Sequence, residues 1–413
     1  MISLGMFDPD VLEDKLKAYM DRVKKLTGLD DDSSVVSQKL RGDQNGEWID
    51  FAKVSDSEAM TVTQVQQFLK NAGFSPDIDV DGICGYRTTA AIRLFQEYVR
   101  SVDKDAGIGT PDGLLGSKSF GAIQAWQSAG KKANWLSGGG FQQSDHHRRG
   151  LEFLNSLRDH YLQNPTRMLQ MVNAHSDPGD TLKVADWRFD PQDIHLVGVR
   201  KNAPDTEGKF DDVFFLFIRG MVFTFFGSTD PGHTSNAAGF PFLTFGQHLY
   251  RFGWHGFSNT NRIYQALKPK SRGVLVVRSK DRVLQDSDLD GGLSRNASIN
   301  VHWGGKGFSA DIGKWSEGCQ VITGKGYINH NNEIVDCAKF AALNYSQLGK
   351  DQASGQYRTK GAYTVLADIV TALSAKDNVM HYMLLKEEDL QMSPEVTGMI
   401  EAARKQFGRI RFA

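Results

Sequence analysis

Two stretches of this chain repeat each other, and the repeat is what most limits the fold of its first third. Asp81-Gly-Ile-Cys-Gly-Tyr-Arg-Thr-Thr-Ala-Ala-Ile-Arg-Leu-Phe-Gln96 aligns without a gap on Asp112-Gly-Leu-Leu-Gly-Ser-Lys-Ser-Phe-Gly-Ala-Ile-Gln-Ala-Trp-Gln127. Asp-Gly, a later glycine, Ala-Ile, an aromatic residue and Gln recur in register. Each copy reads as a turn followed by a helix. The glycines permit the turn, Thr88 or Ser117 lies near the helix start, and Ile and the aromatic share one face. Val62 to Phe74 supplies a preceding helix that ends at Gly73. Self-similarity at this period marks one small repeated helical unit. Asp81 and Asp112 either hold their turns through side-chain bonds or touch a ligand.

A second stretch carries chemistry. Ile299-Asn-Val-His-Trp-Gly-Gly-Lys-Gly-Phe-Ser-Ala-Asp-Ile-Gly-Lys-Trp-Ser-Glu-Gly-Cys-Gln-Val-Ile322 starts like a strand and passes through a glycine-rich loop. It ends on a cysteine that leads into apolar residues. A thiol with a pKa near ~8.5 is only slightly ionised at neutral pH, so a nucleophilic cysteine needs a nearby imidazole or a cluster of backbone N–H groups. His302 supplies the first, and the amides at Gly318 and Cys319 the second. The chain has 3 cysteines, Cys84, Cys319 and Cys337, too few for a disulfide framework. The alternative for Cys319 is a bridge to Cys337, which would stabilise a short loop by ~3 kcal/mol.

Residues 58–132 strongly resemble the peptidoglycan-binding module of bacterial wall hydrolases, through their Asp-Gly-x-x-Gly and Phe-Gln elements. The order His302, glycine-rich spacer, Ser316-Glu-Gly-Cys319 resembles the active-site signature of the YkuD-type L,D-transpeptidases, which act on peptidoglycan stem peptides. A divergent branch found in phage and secreted bacterial proteins is closer still. That likeness runs from about Leu196 to Val321, through Ser228-Thr-Asp-Pro-Gly232, Phe245-Gly-Gln247, Phe252-Gly-Trp-His255 and Gln265-Ala-Leu267. The resemblance implies that Cys319 attacks a carbonyl, His302 takes its proton, the Gly318 and Cys319 amides hold the oxyanion, and Ser316 is the motif's serine. It puts His255, Trp303, Gly304 and Glu317 on the substrate side. Two positions depart: Glu317 and Val321 stand where the family has a histidine and an arginine.

At 413 residues the chain is too long for one ordinary core. The balance of 48 basic and 49 acidic residues argues against a nucleic-acid partner held by bulk charge. No apolar run reaches the ~20 residues of a membrane span. Met1 to Asp10 lacks a basic n-region. The expectation is therefore a chain made in the cytoplasm without a Sec signal, which acts on the periplasmic or outer wall after delivery by a secretion apparatus or release at lysis. A secretion apparatus or an immunity protein would then be a partner beside the glycan strand and stem peptide.

The expected fold class is multidomain α+β, a small all-α module plus a mixed β-sandwich with peripheral helices. The expected order is an N-terminal helix and polar linker (1–57), the module (58–132), a glycine hinge and helical connector (133–190), the catalytic domain (191–385) and a helical tail (386–413). Alternating runs predict strands at Ile194 to Val199, Val213 to Ile218, Met221 to Phe226, Arg272 to Arg278 and Ile299 to His302. Helical spacing marks Val335 to Leu343 and Gly361 to Val370. His146-His-Arg-Arg149 reads as a solvated basic patch. The function expected is a cysteine enzyme acting on stem peptides through a thioester, with no cofactor. The alternatives are a non-catalytic wall-binding protein and a metal-dependent wall peptidase using His255, His302 and Cys319 as ligands.

Overall fold

The structure, a computed structural model, describes residues 62–82, 86–113, 115–136, 142–201, 208–233, 237–255, 264–305, 311–338, 340–350, 357–374 and 379–411. The helix expected from Asp8, the polar linker after it and the hinge at 137–140 lie outside these. The described helices are α1 (Val62–Ala72), α2 (Tyr86–Ser101), α3 (Ser117–Ser128), α4 (Asp145–Gln163), α5 (Arg167–Ala174), α6 (Ala362–Leu373) and α7 (Pro394–Arg411). Strands β1 (His195–Arg200), β2 (Asp212–Ile218), β3 (Met221–Ser228), β4 (Phe240–Leu243) and β5 (Gly246–His255) come first. They are followed by β6 (Tyr264–Pro269), β7 (Val274–Ser279), β8 (Leu293–Asn296), β9 (Val301–Trp303) and β10 (Gln320–Ile322). Last come β11 (Gly326–Ile328), β12 (Ile334–Asp336), β13 (Gly349–Lys350), β14 (Tyr357–Arg358) and β15 (Val379–Lys386). Contacts divide the chain into two units. One takes the described parts of Met1–Gly140, Trp254–Gln265 and Phe340–Lys376, and the other takes Phe141–Gly253, Ala266–Lys339 and Asp377–Ala413.

In the first unit the repeat builds the same joint twice. Gln66 on α1 donates through Nε2 to Asp81 Oδ1 at 2.8 Å and to Thr88 Oγ1 at 3.1 Å, while its Oε1 accepts from Gly82 N at 2.9 Å. Gln96 on α2 does the same one copy later, with Asp112 Oδ1 and Ser119 Oγ both at 2.9 Å and Gly113 N at 2.8 Å. One glutamine amide thus fixes both the turn and the start of the next helix, which gives the two aspartates a scaffold role. Phe74, Phe95, Tyr98 and Trp126 meet edge-on or tilted at centroid distances of 5.2–5.6 Å and fill the centre. Helix α6, apolar almost all round and wholly buried, packs on α2. Its Asp368 meets Arg93 of α2 at 2.6 Å with both side chains inaccessible, and Arg93 Nη1 also donates to Pro111 O.

In the second unit one sheet runs β10-β9-β6-β5-β15-β1-β2-β3-β11-β12, and β10 pairs with β3 as well as β9. Where the sequence leads one to expect a mixed β-sandwich, eight strands therefore close into a barrel-like ring. A separate sheet runs β4-β7-β8. Alternation along β1 and β2 explains the covering: Val197, Val199, Val213, Phe215 and Phe217 face a core shared with α4, α5 and α7. A hairpin at Arg219-Gly220 joins β2 and β3. The residues between face inward, where Tyr250 meets Tyr382 at 5.4 Å and Tyr382 Oη donates to Gln320 Oε1 at 3.2 Å.

Two expectations are corrected. Val335 to Leu343 is not a helix: Ile334–Asp336 forms β12 against β11, and Ala341 bridges to Thr359. The β-branched Ile334 and Val335 find strand partners, and tertiary pairing overrides the helical spacing. Within the basic patch His147 is buried beside Phe217, whereas His146, Arg148 and Arg149 are exposed.

Burial pushes His147, His248 and His302 down to about 4 and His195 to about 3, from an ordinary 6.5. Folded, these rings stay neutral at pH values where the unfolded chain binds protons. Their contribution is complete above pH 6.5 and is lost as pH falls toward 4, at about 1.4 kcal/mol per ring per pH unit. His330, also held at about 4, and His381 follow the same trend; Asp212, pushed up to about 8 by burial and by Asp230, and Asp211 and Asp389, raised by burial, act in the opposite sense but are three groups against six. Urea midpoints should therefore drop steeply between pH 6.5 and 4.5; a flat profile would contradict the buried, neutral histidines.

Candidate active site

Strands β9 and β10 run parallel, with Gln320 opposite Val301, Val321 opposite His302 and Ile322 opposite Trp303. One step earlier Cys319 falls beside Asn300, and the Asn300 N–H reaches Cys319 Sγ at 3.4 Å. Because side chains alternate, Cys319 and Val321 share a face, and so do Val321 and His302 across the ladder. The register thereby puts Cys319 and His302 at diagonal positions on one face of a two-strand ladder.

The sulfur donates to Ser298 O at 3.1 Å. His302 is buried, and its Nδ1 lies 2.9 Å from Trp303 O. A carbonyl can only accept, so Nδ1 carries the hydrogen and Nε2 is the ring's basic nitrogen. Burial pushes the Cys319 thiol up to about 11, the Asn300 N–H counters this, and the Glu317 carboxylate adds to it. Burial holds His302 at about 4, against a smaller upward pull from Trp303 O. At rest the thiol and the imidazole are both neutral.

Ser316 locks the turn before the cysteine: its Oγ accepts from Gly318 N at 2.9 Å and donates to Cys319 O at 2.7 Å. The Gly318 N–H is thus already engaged. A Cβ on Gly318 would lie 2.6 Å from Pro241 O, so the glycine is required by the approach of β4. The loop ahead is held from two sides. Arg282 grips Asp311 at 2.6 and 3.1 Å and holds its carboxyl below the usual range. From the other side, His233 N donates to Gly313 O and Ser316 O.

The remaining expected residues fall in different places. Trp303 is wholly buried, edge-on to Trp315 at 5.3 Å. Gly304 packs against Phe210 and Val321. Glu317 is exposed beside the cysteine. Val321 sits in an apolar cluster with Phe210 and Ile312, a setting hostile to the family's arginine. His255 belongs to the first unit, where its ring meets Tyr264 edge-on at 5.4 Å. Cys319 and Cys337 are both free thiols, and Cys337 is buried; Cys84 lies outside the described residues. Among the described residues no three His, Cys, Asp or Glu side chains gather to hold a metal.

Sequence reasoning missed Ser298 and Pro241, because a backbone carbonyl and a close approach leave no mark in residue type. It also missed a cavity of about 230 Å³ lined by Arg200, Asp230, Phe242 and Phe245. The only available signal for that cavity was the Asp-Pro-Gly turn at 230–232.

No helix among the described residues is long and apolar enough to cross a membrane. No curated protein matches this chain, and no solved structure does. The family model of a peptidoglycan binding domain matches residues 60–100. The match takes in α1, the first Asp-Gly turn and nearly all of α2, and stops before the second copy and before His302 and Cys319. The chain carries a peptidoglycan-binding segment, which supports association with the cell wall and peptidoglycan as a partner.

Proposed function

We propose that this protein is a cysteine enzyme acting on peptidoglycan stem peptides, with an L,D-transpeptidase or L,D-carboxypeptidase type of reaction. The observation that carries the reading is the diagonal placement of Cys319 and His302 on the β9–β10 face, with the His302 tautomer set by Trp303 O. Sγ attacks the stem-peptide carbonyl while His302 Nε2 takes the thiol proton. The tetrahedral intermediate collapses to a thioester, and the leaving amine departs with that proton. Water, a stem amine or a free D-amino acid then takes the acyl group. With thiol and imidazole near 11 and 4, a free ion pair costs on the order of 10 kcal/mol, so proton transfer accompanies the attack. The Gly318 N–H is bonded to Ser316, which leaves the Cys319 N–H as the amide for the oxyanion.

Wall contact is assigned to a groove of about 320 Å³ between α1 and α3, floored by Phe68 and Trp126 and edged by Gln64, Gln67, Asn71 and Lys131. Amides suit sugar hydroxyls and acetamido groups, and lysine suits stem-peptide carboxylates. Delivery by a secretion apparatus or release at phage lysis completes the proposal. The second reading, a wall-binding protein without catalysis, is favoured by the engaged Gly318 amide and by Val321.

Incubation of the full chain with defined muropeptides, read by mass spectrometry, separates the two. Loss of D-alanine or new cross-links should appear with the wild type and vanish with Cys319→Ala and with His302→Ala; a Cys319→Ala protein of unchanged activity would end the thioester mechanism. Alkylation of Cys319 by iodoacetamide should accelerate about tenfold per pH unit from 7 to 10, as expected of a thiol that ionises late, whereas a plateau below pH 7 would mean a preformed thiolate. Gln67→Ala combined with Lys131→Ala should reduce co-sedimentation with sacculi several-fold while leaving the rate on small muropeptides unchanged. Undiminished co-sedimentation would place wall contact elsewhere.

A further inference from the structure

We propose that the cavity around Arg200 in the second unit binds a small carboxylate, either an α-amino acid or the carboxyl end of a short peptide. The site is separate from the thiol: neither Cys319 nor His302 lines it, and the proposal stands whether or not Cys319 is a nucleophile.

Arg200, at the end of β1, is 6% exposed. Its guanidinium lies over Phe242 and over Phe245, 5.3 Å from each ring centroid. Nε donates to Thr229 Oγ1 at 3.0 Å and pairs with Asp230 Oδ1 at 3.1 Å, and Nη2 donates to Thr229 O at 2.6 Å. Thr229 is itself held by Asp212, whose Oδ2 accepts from its N–H at 2.6 Å and its hydroxyl at 2.7 Å. The guanidinium is therefore fixed in place, and Nη1 has no acceptor among the described residues. A buried arginine donor without an acceptor is an incomplete arrangement that a planar oxyanion completes.

Charge and size narrow the ligand. Asp230 offsets Arg200, Arg167 and Arg282 meet Asp286 and Asp311, and Lys201 lies 3.6 Å from Asp211, so the further positive field comes chiefly from Lys386, whose Nζ lies 5.6 Å from the Phe245 ring centroid. Asp286 and Glu388 also line the cavity. A dianion such as phosphate meets Glu388 as well as Asp230 and Asp286, which Arg200 and Arg167 already partner, while a monoanion does not need their removal and an attached ammonium would be drawn to them. Met168, Phe242 and Leu289 offer apolar contact. The cavity of about 230 Å³ takes a ligand of one or two amino-acid residues rather than a full stem peptide.

Calorimetric titration of the full chain with D-alanine, N-acetyl-D-alanyl-D-alanine, D-alaninamide and inorganic phosphate tests this, each ligand taken to about 10 mM, where a millimolar site is filled. Binding of one or both carboxylates, with neither the amide nor phosphate binding, is the expected result. D-alanine alone would identify a free amino acid, the acetylated dipeptide alone a peptide end, and both together recognition of the carboxylate itself. Silence from both carboxylates, equal binding of D-alaninamide, or stronger binding of phosphate would overturn the proposal. Lys386→Met should weaken the carboxylate about tenfold and Arg200→Lys should abolish binding. Because Arg200→Lys could fail to fold, the half-buried Lys386 position is decisive: unchanged affinity in Lys386→Met refutes the site. Cys319→Ala should bind as the wild type does, and lost binding there would move the ligand to the thiol.

Discussion

The second unit depends on β10, a strand of 3 residues bonded on both sides. Its parallel pairing with β9 and antiparallel pairing with β3 turn an open sheet into a ring, and Cys319 immediately precedes it. The closure tolerates little change. A Cβ on Gly227 of β3 would lie 1.9 Å from Val321 O, so any side chain there would force the two strands apart. Behind the ladder Gln320 is tied to Tyr382 and, at 3.4 Å, to Gly318 O. The residue after the cysteine is anchored inside the barrel while the cysteine faces out. The segment that leads into the cysteine thereby acquires a fixed end, which a reactive side chain on a loop requires.

The first unit reaches order by a different route. Its joints are glutamine side-chain amide bonds repeated with the sequence, and its helices close over edge-to-face aromatic rings. A fully buried ionic contact, Arg93 with Asp368, joins segments far apart in the chain. Removing either partner would strand a charge, a loss of about 3–5 kcal/mol. That pairing ties the peptidoglycan-binding segment to helix α6, and it puts the buried face of α2 out of reach of any wall ligand. The groove between α1 and α3 remains open.

Two ways of burying polar groups coexist in the second unit, and they set what each site can do. His302 is buried and Cys319 half-buried, neither with a counter-charge, so both are driven to their neutral forms, ready for a proton transfer that only a reacting carbonyl makes favourable. Arg200 is buried against Asp230, Thr229 and two aromatic rings. The first arrangement suits chemistry and the second suits recognition of an anion.

The residues themselves determined the elements with strong local signals. The Asp-Gly repeat fixed the helical unit because glycine, aspartate and a following hydroxyl encode a turn and a helix start within a few positions. The apolar runs at 194–199, 213–218 and 221–226 fixed three strands and a hairpin, and the spacing of His302 and Cys319 singled out one segment as chemical. Tertiary structure alone decided the rest. A ring and a sandwich share the same alternation and differ only in whether a short edge strand finds a second partner. Val335 to Leu343 has a helix's spacing, yet β11 was there to claim Ile334 and Val335. The roles of Gly318, Trp303 and His255 followed from neighbours distant in sequence, and the Arg200 cavity from side chains scattered along the chain, because burial and pairing across such separations depend on packing that no local pattern records.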